Sequence, residues 1–164
     1  LRVVLGQQDD AFTEKGLFAV TSEIYTVTQD SNRMAAKLSG APIEAKAGVD
    51  ILSDGIVEGS VQVSANGQPI VMLADHQSTG GYAKIANVIS VDLPKIGQAM
   101  TGSRIRFKAV SVEEAEKLLA AEEEYLAGIE QDIQNAHVRS YTLSFNGTQY
   151  EVAVHKVSNR RRPQ

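Results

Sequence analysis

A chain of 164 residues with 43% hydrophobic residues and a net charge of -4 can bury one core, alone or with a small appendage, and is expected to be soluble and globular. The acidic balance and 5% aromatic content argue against non-specific nucleic-acid binding, which needs a basic surface for phosphates and rings for base stacking. Without cysteine there are no disulfides, thiolate nucleophiles or cysteine-ligated metals.

No run of about 18 apolar residues and no charged-then-apolar leader is visible, so neither a membrane span nor a signal peptide is expected, and a reducing, cytoplasmic setting is. The chain opens at Leu1 directly on a strand-like run, which points to a fragment or a processed chain.

Leu1–Leu5 reads as a strand ending at Gly6, followed by a polar turn and a short helix across Phe12–Phe18. Asp9 and Asp10 have the chemistry of acid/base groups or metal ligands, but adjacent acids before a helical turn more often cap it, and capping is favoured for one of them. Ile24–Thr28 and Ser31–Leu38 are expected strands. Arg33 offers a planar fork of donors suited to a carboxylate or phosphate, or serves as an ordinary partner for Asp30 or Glu44. A loop covers Ala41–Gly48, and Ile51–Gly59 alternates short apolar stretches with glycines, predicting close turns or bulges. Ser60–Ser64 then alternates toward Asn66–Gly67, a hairpin signal, and the return strand is Pro69–Ala74.

Polar residues gather in Ala74–Lys84, around the diglycine Gly80–Gly81 and between two apolar runs, the second spanning Ile85–Val91. Glycine lets a backbone take φ > 0 and approach a ligand or another chain closely, leaving N–H groups for an anion or a carbonyl oxygen. A loop held by rigid strands is a common seat of function. The same residues are also ordinary turn chemistry, and a lone Lys84 or Tyr82 is more often a surface or packing residue than a catalytic one.

After Pro94, Lys95–Met100 is a short helix or turn and Ser103–Val110 a half-exposed strand. Ser111–Glu114 matches a capping box, and Ala115, Leu118, Leu119, Leu126, Ile129 and Ile133 fall near one stripe of a helix running to about Gln134. Glu122–Glu124 reads as its solvated face. Tyr141–Val154 is a hairpin about Asn146–Gly147, with Phe145 opposite Thr148, Leu143 opposite Tyr150 and Tyr141 opposite Val152. An isolated hairpin is marginal in water, so this one is expected to dock on the barrel, on the helix or on another chain. Arg160–Arg162 reads as a flexible tail.

The expected fold is mainly β: a barrel over residues 1–111, an amphipathic helix over 112–135, a terminal β-hairpin over 138–157 and a tail over 158–164. Phosphate-loop, dinucleotide, zinc-protease and nucleophile-elbow motifs do not occur. His76, His137 and His155 lie in different elements, so no metal site is expected.

Gly6–Thr13, Ser31–Met34, Ser53–Ile56, Gly67–Val71 and Ala74–Ala86 occur in the order seen in allophanate hydrolase subunit 2, and the chain resembles that family over roughly residues 1–115. The family is also called the biotin-dependent carboxyltransferase or KipA-like family and includes one subunit of the bacterial 5-oxoprolinase. The resemblance implies a cyclophilin-like β-barrel of which this chain is the C-terminal half. It implies a subunit 1 homologue as partner, together with the missing N-terminal half of the same domain. The activity it implies is ATP-dependent hydrolysis, or biotin-dependent carboxylation, of a small amide such as 5-oxoproline, urea or allophanate. One branch instead antagonises a kinase inhibitor, so a non-catalytic binding module is the alternative. ATP or carboxybiotin would belong to the assembled complex, since no cofactor is expected in this chain and no biotin-attachment Met-Lys-Met follows the hairpin.

Carried over by position, the resemblance points to Lys84, Arg33 and Asp75 as catalytic and to Asp54, Gln62, Gln77, Thr79, Gly80, Gly81 and Tyr82 as substrate-binding. In this reading Arg33 and Lys84 offset negative charge, while Thr79 and the diglycine N–H groups polarise a carbonyl oxygen. Asn32, Ala35 and Ala83 depart from the family's usual Asp, Gly and Pro, which alters charge and loop rigidity near the groove.

Overall fold

Alternation of apolar and polar residues over short runs dictates strands, and the computed structural model, which describes residues 1–6, 8–134 and 139–154, is built mostly of them. It divides into a unit Leu1–Glu116 and a unit Lys117–Gln164. The elements in chain order are β1 (Arg2–Leu5), α1 (Glu14–Ser22), β2 (Ile24–Val27), β3 (Ala35–Ser39), β4 (Asp50–Gly55), β5 (Ser60–Val63), β6 (Pro69–Met72), β7 (Thr79–Tyr82), β8 (Lys84–Val88), α2 (Leu93–Gly97), β9 (Arg104–Arg106), β10 (Lys108–Ala109), α3 (Val112–Gln134), β11 (Arg139–Phe145) and β12 (Thr148–Val154).

Eight strands form one sheet in the order β10-β1-β8-β5-β6-β3-β2-β9. Its two edge strands, β9 and β10, are separated only by Phe107, so one stretch of chain supplies both edges and the sheet curls into a nearly closed barrel. Phe107 is 1% exposed and packs on Tyr25, ring centroids 5.9 Å apart. Val3, Val20, Val61, Val63 and Val71 fill the same core. The mainly β, barrel-shaped fold is the expected one.

Several boundaries differ from the sequence reading. The first helix starts at Glu14, and Thr13 caps it through a hydrogen bond from Gly16 N–H to Oγ1 at 3.0 Å; Asp9 and Asp10 sit earlier, in a 3-10 turn, and neither caps α1. The strand expected over Ser31–Leu38 begins only at Ala35, because Asn32 Oδ1 accepts from the N–H groups of Met34 at 2.8 Å and Ala35 at 3.3 Å and holds a turn. The run after the diglycine ends at Val88, and Ser90–Asp92 forms a 3-10 turn leading into α2.

In the helical segment, Ser111 Oγ accepts from Glu114 N–H at 3.2 Å, as a capping box requires. In the second unit, β11 and β12 pair in the expected register, and Asn146 and Gly147 both take positive φ, 52° and 80°, as a two-residue turn of this kind demands. Tyr141, Leu143, Phe145 and Tyr150 remain about half exposed or more. His137, His155 and Arg160–Arg162 lie outside the described residues. Among the described residues, no helix is long and apolar enough to cross a membrane.

Candidate functional site

Side chains alternate along β5, so with Val61 and Val63 in the barrel core, Ser60 and Gln62 stand on the opposite face. Strand β8 meets β5 with an irregularity: Ala86 pairs with Val61, but Lys84, not Ile85, pairs with Gln62. One extra residue flips a strand's facing, and this one sets Lys84 beside Gln62 rather than in the core. Met72 and Ala35, cross-strand partners, lie with Ile56 in a second small apolar cluster.

A two-stranded ribbon covers that face. Strands β4 and β7 pair antiparallel, with Asp54 opposite Gly80 and Gly55 opposite Thr79, and the register shifts between Asp50 and Asp54. Gln62 Nε2 donates to the Tyr82 carbonyl at 3.1 Å, tying β7 down. Neither Gly80 nor Gly81 takes positive φ, so the diglycine is not there for a left-handed turn. Gly80 is a position of close approach instead: a Cβ would lie 2.5 Å from Ile56 Cδ1 and 2.8 Å from Gln62 Nε2, so these side-chain ends would have to shift. The approach is to the chain's own side chains.

Lys84 is buried, its side chain 1% exposed, and Nζ donates to Asp54 Oδ2 at 2.6 Å and to the Gly55 carbonyl at 2.8 Å. A buried cation is tolerable only with such partners. Asp54, 55% exposed, accepts from Gln8 Nε2 at 3.0 Å through Oδ2 and from Gly55 N–H at 2.8 Å through Oδ1. The Lys84 ammonium, then the Gly55 N–H and the Gln8 amide, hold the Asp54 carboxyl below the usual carboxylate range. Gln8 also accepts the Lys84 N–H at its Oε1, 2.9 Å away, and its own N–H donates to the Lys84 carbonyl at 3.2 Å. Sequence reasoning did not single out Gln8; its only signal was its place in the first motif of the resemblance.

Arg33 and Asp75 meet each other, Nε to Oδ2 at 2.6 Å and Nη2 to Oδ1 at 3.3 Å, so Arg33 pairs with neither Asp30 nor Glu44. The pair raises the Arg33 pKa and lowers that of Asp75. Both side chains are largely exposed, and no hydrogen bond or ion pair among the described residues joins them to Lys84. Gln77 and Thr79 are exposed, and His76 Nδ1 lies 2.7 Å from the Gln77 carbonyl, which requires a proton on that nitrogen.

The donor set about Lys84 is one ammonium, one carboxylate and two carboxamides. Among the described residues no group of three His, Cys, Asp or Glu side chains is placed to hold a metal ion. No glycine-rich phosphate loop and no biotin-attachment lysine motif occur in the sequence, and no step is assigned through ATP or biotin.

The family model described as carboxyltransferase domain, subdomain A and B, matches residues 1–109. The chain is 42% identical over 126 residues to the 5-oxoprolinase subunit designated C in Haemophilus influenzae, covering 77% of this chain and 41% of that protein. It is 34% identical over 125 residues to the same subunit of 5-oxoprolinase from Escherichia coli, covering 76% and 40%. It thus spans about two fifths of the length of these curated relatives. The crystal structure of Kluyveromyces lactis urea carboxylase shares the fold, with a TM-score of 0.72 at 22% identity over 78% of this chain and 12% of that one. With two thirds of its length matched by one family model, the chain belongs to the carboxyltransferase domain family, subdomains A and B.

Proposed function

We propose that this chain is part of a cytoplasmic subunit of a multi-subunit complex that hydrolyses or carboxylates a small amide such as 5-oxoproline, urea or allophanate. The family membership and the relatives named as 5-oxoprolinase subunits support the class of complex. A subunit 1 homologue and the remainder of the same family domain would complete the catalytic groove, with ATP or carboxybiotin held outside this chain.

The observation that carries the reading is a buried ammonium set against a half-exposed carboxylate. An ammonium has three N–H donors, and Asp54 and Gly55 accept two of those of Lys84. The third is assigned to the carbonyl or carboxylate oxygen of the amide, which reaches this covered ammonium only when the β4–β7 ribbon shifts, and a preorganised donor there stabilises developing negative charge. The open side of Asp54 is assigned to the amide N–H. Gln62, Gly80, Gly81 and Tyr82 shape the inner wall, and Arg33, Asp75, Gln77 and Thr79 are assigned to the outer part of the groove.

A second reading has its own support: both partners of Lys84 lie on β4, so the lysine also pins the ribbon to the barrel. A binding module that regulates a partner protein needs no more than that. The test is ATP hydrolysis by the full-length protein co-purified with its subunit 1 partner, with and without 5-oxoproline, urea or allophanate. Substrate-stimulated turnover that falls about 100-fold in Lys84→Met, equivalent to about 3 kcal/mol, supports the catalytic reading. A stable complex without turnover on any substrate supports the binding module.

A further inference from the structure

Cross-strand partners in an antiparallel sheet share a face, and one row of them runs across the barrel from the Lys84 site. Gln62 pairs with Lys84 on one side and with Ile70 on the other, and Ile70 pairs with Lys37. Three strand steps separate the two lysines, about 14 Å at ordinary strand spacing. At the Lys37 end of the row lies a groove of about 710 Å³, lined among others by Thr28, Asp30, Lys37, Ile70 and Tyr82. That volume suits a small molecule.

Two features of the groove point to one ligand chemistry. Lys37 and Asp30 are exposed charges of opposite sign, and neither has an ion-pair partner among the described residues. Ile70 and Tyr82 give an apolar wall, and the backbone of Tyr82 is fixed through its carbonyl by Gln62. We propose that this groove binds a zwitterionic α-amino acid. Its carboxylate sits against Lys37, its ammonium against Asp30, and its side chain along Ile70 and Tyr82. The assignment rests on the groove alone, so it and the reading of Lys84 stand or fall separately.

The test is a titration of the ¹⁵N-labelled chain with glycine, L-leucine and L-glutamate, using acetate and methylammonium as single-charge controls. Saturable shifts at Thr28, Lys37 and Tyr82, with Kd below about 1 mM for at least one amino acid and none for the controls, are expected. Lys37→Met and Asp30→Asn, both at exposed positions, should each weaken binding at least about tenfold without moving Tm. No saturable shift at about 10 mM of any amino acid, binding that survives both substitutions, or shifts confined to Lys84 and Asp54 would overturn the proposal.

Discussion

Lys84 and Asp54 form an asymmetric pair: Nζ donates to Oδ2 at 2.6 Å from a side chain 1% exposed to one 55% exposed. The cation is fixed inside the ribbon-covered face while the anion keeps a side open to solvent. An interior ion pair built only for stability would bury both partners. A surface pair would bury neither and would contribute little.

The two neighbouring glycines should respond differently to substitution. At Gly80 a new side chain meets Ile56 and Gln62, both buried, whereas at Gly81 an added Cβ finds the Ile51 carbonyl at 3.6 Å, an ordinary contact. Gly80→Val is expected to cost about 2–3 kcal/mol in urea denaturation by overpacking. Gly81→Ala should stay within about 0.5 kcal/mol of the parent chain.

Gln8 positions the pair, and its loss should be read in pH. Its amide is one of the donors that hold the Asp54 carboxyl down, so Gln8→Ala should move that pKa up toward the ordinary value of about 3.9. If the ionised carboxylate is the working form, the acid limb of activity in the assembled complex shifts to higher pH. ¹³C-detected titration of the Asp54 carboxyl checks the shift in the chain itself.

Asp92 has a structural role. Its side chain is 2% exposed and accepts from Arg2 Nη2 at 2.6 Å, Arg2 N–H at 2.7 Å and Lys95 Nζ at 2.7 Å. Burial pushes its pKa up, but the hydrogen bonds from Arg2 and Lys95 outweigh that and hold it well below the usual range. A depressed folded-state pKa contributes stability that is present above the unfolded value of about 3.9 and is lost as pH falls toward the folded one. Asp92→Asn should therefore cost about 3 kcal/mol at neutral pH and flatten the loss of stability below about pH 4, as followed by urea midpoints.

Tyr25 should stand out at the alkaline end. It is 0% exposed, its hydroxyl donates to the Ala19 carbonyl at 3.2 Å, and burial, aided by the nearby Glu23 charge, pushes its pKa up to about 12. Because this folded value is raised, its contribution to stability is full below the unfolded value of about 10 and is lost as pH rises toward about 12. In a spectrophotometric titration, one of the five tyrosines should ionise only as the chain unfolds.

Local chemistry was legible in the sequence wherever neighbours in the chain decide it. Asn146–Gly147 set the hairpin register, Ser111 capped the third helix, and Asn66–Gly67 joined β5 to β6, each through contacts a few residues apart. What could not be read depends on pairing across long separations. Gln8 reaches Lys84 over 76 positions and Arg33 reaches Asp75 over 42, so the first passed for a polar turn and the second lacked its partner. The irregularity beside Ile85 leaves no compositional mark, yet it decides which face Lys84 occupies. Glycine at position 80 was legible as special, but close packing rather than positive φ is the reason.

The most direct test is turnover by the assembled complex carrying Asp54→Asn. The substitution keeps the shape of an exposed side chain and removes the charge opposite Lys84. At least a 100-fold fall in substrate-stimulated ATP hydrolysis, about 3 kcal/mol, is the predicted result, together with a lowered Tm because the buried Lys84 ammonium loses its counter-charge. Turnover within about twofold of the parent complex would contradict the assignment of the Lys84–Asp54 pair as the chemical centre.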